Sequence, residues 1–576
     1  MEENQNHEQL GSTIFCEALV DEGMEIMFGI PGGVVLPLYD KLNKYGKKFV
    51  HVLPKQEQGG GFAADGYARA TGKVGVALGT SGPGATNLMT SIINSMLDSV
   101  PVVYITGQVV EDLTGTDAFQ EADVIGMSMP CVKHSYFVTH AKDLRRVMKE
   151  AFYIAGTGRP GPVHLDITKD AWGTKAAYEK NPKMDLPGYT AVPKICSDAD
   201  IKNLDQILSN ASKPIIIAGH GVEIGRAEKE LTEFAERHNI PVVNTMLGLG
   251  AFPQGNKLWL GMIGMHGDAV ANYAIDEADL VIAIGTRFSD RIIGRLSTFI
   301  KDKTFVHMDI DPSEINKIVP KSIPLCGDAK DVLSRANEFL SSHNYAKWHE
   351  RIAELKGKYG FLDFKFCPEP KSGLLSQPRL IKMISDITGG DAIVATDVGR
   401  NQMWTARFYR FNHPNSHLSS GGLGSMGYGV PAAMGAKFGL PEREVWAISG
   451  DGGFMMNMQE LATIAEYNLP VKMVIMEDRA LGMVRQWQNL LYHGNISHTN
   501  LVNPDFVKLA NAFGIAGFRA KTYEEAEKVI KEARAINGPA LITFEVDPDE
   551  HVYPMVPPNT PLGDQWLNDE FLTANK

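Results

Sequence analysis

VWAISGDGGFMMNMQELATIAEYNLPVKMVIMEDRALGMVRQW, residues 445–487, decides the fold of this chain. Val445–Ser449 is a short apolar run and reads as a buried strand. Gly450–Asp451–Gly452–Gly453 is a turn without side-chain bulk, and a helical pattern follows with Met455, Met458, Leu461, Ala462 and Ile464 apolar. Asn468 and Pro470 end it. Val471–Met476 reads as a second buried strand, closing on Glu477–Asp478. A strand, a Gly-Asp-Gly turn, a helix and a strand ending in a second acid suit a phosphate with a cation. Glycines let the backbone approach, and the helix N-terminus presents free N–H groups and partial positive charge. Asp451 and Asp478 are hard oxygen ligands suited to Mg²⁺ shared with phosphate. Gly-Asp-Gly alone is better explained by a plain turn; the second acid at the next strand end shifts the balance toward a metal.

Outward from this stretch, short apolar runs alternate with helical patterns. The first block spans about Gly11 to Asp170, with runs at Ile26–Ile30, Val74–Leu78, Val102–Ile105 and Val163–Ile167 and helical patterns at Gly59–Ala70 and Asn87–Ser95. Residues 171–200 lose the pattern, carry Pro182, Pro187 and Pro193, and read as a linker. A second block runs from about Asp200 to His343 and opens with Pro214–Ala218. A helical, then proline-rich stretch (344–377) precedes a third block from Pro378 to about Asp547. Such alternation predicts an α/β chain of three doubly wound parallel-sheet domains, at 1–185, 190–345 and 370–576. Periodicity does not show whether the first and third share one fold.

Composition agrees. At about 150–200 residues per domain, 576 residues make three. The net charge of −12 disfavours a nucleic-acid or anionic-membrane partner. No apolar run reaches the roughly 18 residues that span a bilayer. The acidic, polar start MEENQNHEQLG resembles neither a signal nor a transit peptide. Five scattered cysteines argue against a disulfide framework, so a cytoplasmic location is expected.

Further glycine turns carry chemistry-bearing residues. Gly29–Ile30–Pro31–Gly32–Gly33 closes a strand, Lys55–Gln56–Glu57–Gln58–Gly59–Gly60 opens a helix, and Thr80–Ser81–Gly82–Pro83–Gly84–Ala85–Thr86–Asn87 is a strand-to-helix turn. Alone, Glu57 could be an acid favoured by the helix dipole. Gly115–Thr116–Asp117–Ala118–Phe119–Gln120–Glu121 and Lys133–His134 follow. The second block holds Gly219–His220–Gly221, Gly285–Thr286–Arg287–Phe288–Ser289–Asp290–Arg291, Asp309–Ile310–Asp311–Pro312 and Gly327–Asp328–Ala329. The third holds Thr396–Asp397–Val398–Gly399–Arg400–Asn401–Gln402–Met403–Trp404 and Ser420–Gly421–Gly422–Leu423–Gly424–Ser425–Met426–Gly427.

In this order, these motifs resemble the thiamine-diphosphate (ThDP) enzymes, and within them the catalytic subunits of acetohydroxyacid (acetolactate) synthase, from about residue 10 to 565. The resemblance implies a pyrimidine-binding first domain, an FAD-binding second and a diphosphate- and Mg²⁺-binding third. By it, Glu57 hydrogen-bonds the aminopyrimidine of a cofactor held by a partner subunit, so at least a homodimer is implied, or a homotetramer. Gly32, Gly33, Gly399, Arg400, Asn401, Gly424, Met426, Gly452, Gly453, Gly482 and Met483 would hold ThDP. Asp451, Asp478 and the Ala480 carbonyl would hold Mg²⁺. Gly219, Gly221, Arg287, Asp290, Asp309, Ile310, Asp328 and Ala329 would hold an FAD that is structural rather than redox-active. Phe119 and Gln120 would line the reaction pocket, Lys133 its channel, and Met483 would prop the cofactor in its bent form. Arg291 would read the carboxylate of a second 2-ketoacid, its fork suiting that group, and Trp487 would line the same pocket.

The implied reaction is decarboxylation of pyruvate and transfer of the hydroxyethyl unit to pyruvate or 2-ketobutyrate, the first common step of branched-chain amino-acid biosynthesis. A regulatory subunit is a candidate partner. Alternatives are another ThDP-dependent 2-ketoacid decarboxylase, oxidase or lyase with a changed acceptor, or a ThDP-fold protein of weakened catalysis serving as a binding partner. The chain departs from the family pattern at several positions. Gln56 stands for His, Val110–Glu111–Asp112 for Pro-Arg-Arg, Ser289 for Asp, Arg400–Asn401 for Gln-His and Glu477–Asp478 for Asn-Asn. The charges of Arg400 and Asp478 are opposite, and Arg400 is expected to offset the added acid.

Overall fold

The apolar runs form strands buried at every residue, as in Ile26–Gly29, Gly75–Gly79, Val102–Gln108 and Val163–Thr168 of the first block. Pro214–Ala218 and Leu280–Ile284 of the second and Ile393–Thr396 and Val471–Glu477 of the third behave alike. Continuous apolar strands of this kind suit parallel sheets covered by helices on both faces. The computed structural model describes residues 8–191, 196–360 and 364–569. Pro193 of the expected linker and both ends of the chain lie outside the described residues.

Three six-stranded sheets result, and the strand pairs within them are parallel. Counting strands in chain order, the first and third sheets share the spatial order 2-1-3-4-6-5, whereas the middle sheet runs 3-2-1-4-5-6. The outer blocks are therefore one fold used twice, which periodicity alone does not reveal. The middle order is the one that opens a ligand crevice between strands 1 and 4, where the winding reverses.

The first and third units are clamped together by the helices Glu57–Thr71 and Gly429–Gly439. A Cβ on Gly66 would lie 2.3 Å from the Ala432 carbonyl oxygen, and one on Gly435 would lie 1.8 Å from that of Ala63. Only glycine permits this approach.

Two expectations need correction. The helix expected after Gly453 is two helices, Asp451–Met456 and Glu460–Glu466. The break is at Asn457, whose side-chain amide donates to the Gly427 carbonyl at 2.8 Å, a long-range bond that outweighs the apolar periodicity. The expected linker is not featureless: Lys175–Ala177 pairs antiparallel with Glu8–Leu10.

Candidate active site

A cavity of about 1240 Å³ runs from the middle sheet to the third and is flanked by first-unit residues such as Arg69, Asp98 and Arg159. In the third unit it meets the starts of three helices, Arg400–Phe408, Asp451–Met456 and Gly482–Leu491. Their free N–H groups and dipoles favour an anion there. Gly399, Arg400, Asn401, Gly424, Met426, Asp451, Gly452, Gly453, Asp478, Ala480, Gly482, Met483 and Trp487 all line it.

The charged groups are tightly ordered. Asp451 accepts from Gly452 N at 2.8 Å, Arg479 N at 2.7 Å and Asn503 Nδ2 at 2.7 Å. Burial and the neighbouring Asp478 push its carboxyl up to about 7. Asp478 accepts from Ala480 N at 3.0 Å through Oδ1 and forms an ion pair with Arg400 through Oδ2. The Arg400 guanidinium also donates to the carbonyls of Pro548 and Glu550, each at 2.9 Å, while its Nε has no partner. The charge compensation expected between the two departures is thus a direct contact. Asn401 donates to the carbonyls of Asp397 and Ile448, each at 2.9 Å. Glu477, the other added acid, accepts from Thr543 at 3.1 Å and Arg479 at 3.3 Å.

Two carboxylates and a backbone carbonyl, with phosphate oxygens to complete the shell, suit Mg²⁺, which keeps few protein ligands. Among the described residues, no cluster of three or more His, Cys, Asp or Glu side chains is placed to hold an ion.

Toward the middle sheet, the cavity is lined by Gly221, Arg287, Asp290, Arg291, Asp309, Ile310, Asp328 and Ala329. Gly219–Gly221 follows the first strand of that sheet and Gly285–Arg287 the fourth, so the cavity lies in the crevice of the winding reversal. A Cβ on Gly219 would lie 2.2 Å from the Gly285 oxygen, and one on Gly221 would lie 2.5 Å from Gly285 Cα. Backbone therefore packs on backbone beneath the ligand space. Gly219 itself is not part of the lining. The buried His266 Nε2 has no partner and faces this region, and an extended dinucleotide fits the space and chemistry. Asp328 caps the helix Ala329–Phe339, accepting from Lys330 N at 2.9 Å. Burial raises the Asp309 carboxyl to about 6.

Arg291 and Trp487, 196 positions apart in sequence, meet at the junction: the guanidinium carbon lies 5.8 Å from the indole centroid. Arg291 is exposed, pairs loosely with Asp290 at 3.7 Å and donates to Met265 Sδ at 3.4 Å.

The first unit's site residues lie elsewhere. Gly32, Gly33, Glu57, Phe119, Gln120 and Lys133 do not line this cavity. Glu57 begins its helix and accepts from Asn87 Nδ2 at 3.0 Å. Phe119 is 88% exposed, a large apolar side chain left uncovered. Lys133 is turned inward, donating to the carbonyls of Ile154 and Thr157 and to the Tyr189 hydroxyl, and burial lowers its amine to about 8. Glu111 and Asp112 sit exposed in a 3₁₀ turn.

Two supporting acids escape the sequence reading. Asp397, buried, accepts from Val398 N at 2.8 Å, Gly427 N at 3.0 Å and Gly429 N at 3.1 Å, folding the 420–429 turn onto the strand end. Asp98, in the first unit, accepts from Gly421 N and Gly422 N at 3.0 and 2.7 Å and pairs with the buried Arg69. The only sequence signal is that Asp397 ends an apolar strand just before Gly399.

With this geometry in hand, three matches to the thiamine pyrophosphate enzyme family gain weight. Residues 10–127 match its N-terminal TPP binding domain, 201–336 its central domain and 397–544 its C-terminal TPP binding domain. Over 573 residues the chain is 45% identical to the acetolactate synthase large subunit of Mycobacterium tuberculosis, covering 98% of this chain and 91% of that one. It is 46% identical over 558 residues to a probable acetolactate synthase large subunit of Methanocaldococcus jannaschii (95% and 93% covered). It is 43% identical over 559 residues to the Haemophilus influenzae large subunit (95% and 96% covered).

Proposed function

The chain belongs to the acetolactate synthase large subunits of the thiamine pyrophosphate enzyme family, and on that basis we propose how its own residues carry the reaction. The activity is ThDP-dependent carboligation: pyruvate loses CO₂, and its two-carbon unit joins a second 2-ketoacid. ThDP, when bound, supplies the electron sink that ordinary side chains lack.

The convergence of three helix starts on two acids, one already neutralised by an arginine, is the observation that carries this reading. Asp451, Asp478 and the Ala480 carbonyl would hold Mg²⁺ against the diphosphate, with Gly399, Asn401, Gly424, Gly452, Gly453 and Gly482 shaping the cradle. Met426 and Met483 would support the body of the cofactor. Arg291 and Trp487 would bind and orient the second ketoacid, the guanidinium taking its carboxylate.

Glu57 would exchange a proton with the pyrimidine ring. It stands apart from the cavity of its own chain, and Phe119 is exposed beside the Gln120 turn. Both facts support a homodimer, or a tetramer built from it, in which the first unit of one protomer completes the site of a second copy. Units at 1–185, 190–345 and 370–576, with FAD in the crevice of the middle one, belong to the same reading. No described helix is long and apolar enough to cross a membrane. All five cysteines are free, which supports the cytoplasm.

The decisive experiment is product analysis after incubating the protein with pyruvate, ThDP, Mg²⁺ and FAD. Acetolactate formed only with ThDP and Mg²⁺, and lost in Glu57→Gln, is the expected result. Acetaldehyde or acetate in its place would refute the carboligase reading.

A further inference from the structure

The turn that delivers Glu57 is held by an acid 403 positions away, Glu460. Glu460 is fully buried. Its Oε1 accepts from Lys55 N at 3.0 Å and Gln56 N at 3.2 Å, and its Oε2 from Lys55 N at 3.2 Å. Thr463, one turn on, donates to the same Oε2 at 2.9 Å. The next contact along that face is Tyr467, whose hydroxyl donates to the His51 carbonyl at 3.3 Å, and Glu466 pairs with Lys55 at 2.8 Å. The helix Glu460–Glu466 thus lies along residues 51–56, immediately before Glu57. Sequence makes room for it: a Cβ on Gly59 would lie 2.5 Å from Glu460 Oε1.

The N-terminal end of this helix, the end that carries Glu460, is joined to the candidate metal site. Asn457 joins it to the helix that starts at Asp451, with Glu460 N donating to the Asn457 carbonyl at 3.2 Å and Asn457 pinned to Gly427. A buried carboxylate that accepts from two successive backbone N–H groups, one of them shared between its two oxygens, is a stiff anchor. Misplacing a proton-transfer group by about 1 Å can cost roughly 100-fold in rate. The Glu57 side chain accepts one hydrogen bond, from Asn87 at 3.0 Å, so the placement of its backbone helps decide where its carboxyl sits.

We propose that Glu460 is a positioning residue that fixes Glu57 for proton exchange, and that residues 451–466 thereby link the diphosphate-and-metal site of one protomer to the carboxylate it lends to a second copy. The second half rests on the dimeric ThDP reading above.

Glu460→Leu and Glu460→Gln in the full chain test it. The first readout, taken without cofactor, is hydrogen exchange of the peptide spanning 50–60. It should speed up at least about tenfold in Glu460→Leu and less in Glu460→Gln, which keeps one acceptor. The second, at saturating ThDP and Mg²⁺, is the rate at which the reactive thiazolium carbon loses its proton. It should fall about 10- to 100-fold in Glu460→Leu, with ThDP affinity within about threefold of wild type. In the wild type, Mg²⁺ with ThDP should also slow exchange at 50–60, and Glu460→Leu should abolish that effect while 451–456 stay protected. Unchanged exchange at 50–60, or a proton-loss rate that falls only in step with ThDP affinity, overturns the proposal. If Glu460→Leu does not fold, wild-type behaviour of Glu460→Gln in both readouts overturns it. A wild-type chain that binds no ThDP refutes the functional reading instead, and the exchange readout still decides whether Glu460 holds the turn.

Discussion

Arg400→Gln should be far more harmful alone than together with Asp478→Asn. The two side chains are only 1% and 8% exposed and form one ion pair. Removing the guanidinium leaves the Asp478 carboxylate buried beside Asp451, an acid already raised to about 7. Breaking one side of a buried pair costs about 3–5 kcal/mol. Asp478→Asn should cost less, about 1–3 kcal/mol, because Arg400 keeps the carbonyls of Pro548 and Glu550. The double variant buries no unpaired charge and should lose under about 2 kcal/mol, giving a coupling of at least about 2 kcal/mol. Urea denaturation of the four proteins measures it, since the buried Trp404 and Trp446 report on the third unit. ThDP affinity at saturating Mg²⁺ should follow the same order. Losses that add to within about 0.5 kcal/mol would refute the idea that Arg400 is there to neutralise Asp478.

Asp166 offers a pH test away from the metal site: burial raises its carboxyl to about 7, against hydrogen bonds from Thr106 and Gln108 that lower it. The folded state therefore holds a proton that the unfolded state has released, so stability falls as pH rises from about 4 through 7, by up to about 4 kcal/mol from this group. Asp166→Asn should flatten that slope in the difference from wild type; an unchanged slope would show the group is ionised throughout. Gly221→Ala drives a Cβ into Gly285, so purified protein should lose flavin absorbance while still binding ThDP. Full flavin occupancy would contradict the crevice site. Arg291→Lys removes the planar fork near Trp487 and should raise KM for the second ketoacid about tenfold or more while leaving CO₂ release from pyruvate intact. Equal loss of both steps would place Arg291 in the first half-reaction.

Local pattern was enough for the α/β class, for the three blocks and for the glycine turns that line the cavity, because strand burial and turn chemistry are set by neighbouring residues. The acid pair Asp451 and Asp478 was legible for the same reason: each stands immediately after a strand, where the chain leaves the sheet. The opposite charges of Arg400 and Asp478 could be matched on paper, but their contact spans 78 positions and the bonds to residues 547–550 were not readable. Asp397, Asp98 and Glu460 were missed because each holds distant backbone N–H groups, and backbone amides carry no sequence signature.

The sequence by itself determined the α/β class, the three blocks and the glycine turns of the third that line the cavity. Only the tertiary structure decided that the outer sheets share one strand order, that a single cavity joins the second and third units, and that Glu57, Phe119 and Lys133 stand outside it. The physical reason is range. Periodicity and turn geometry act over a few residues, whereas sheet order and the placement of buried charges are settled by packing between segments hundreds of residues apart.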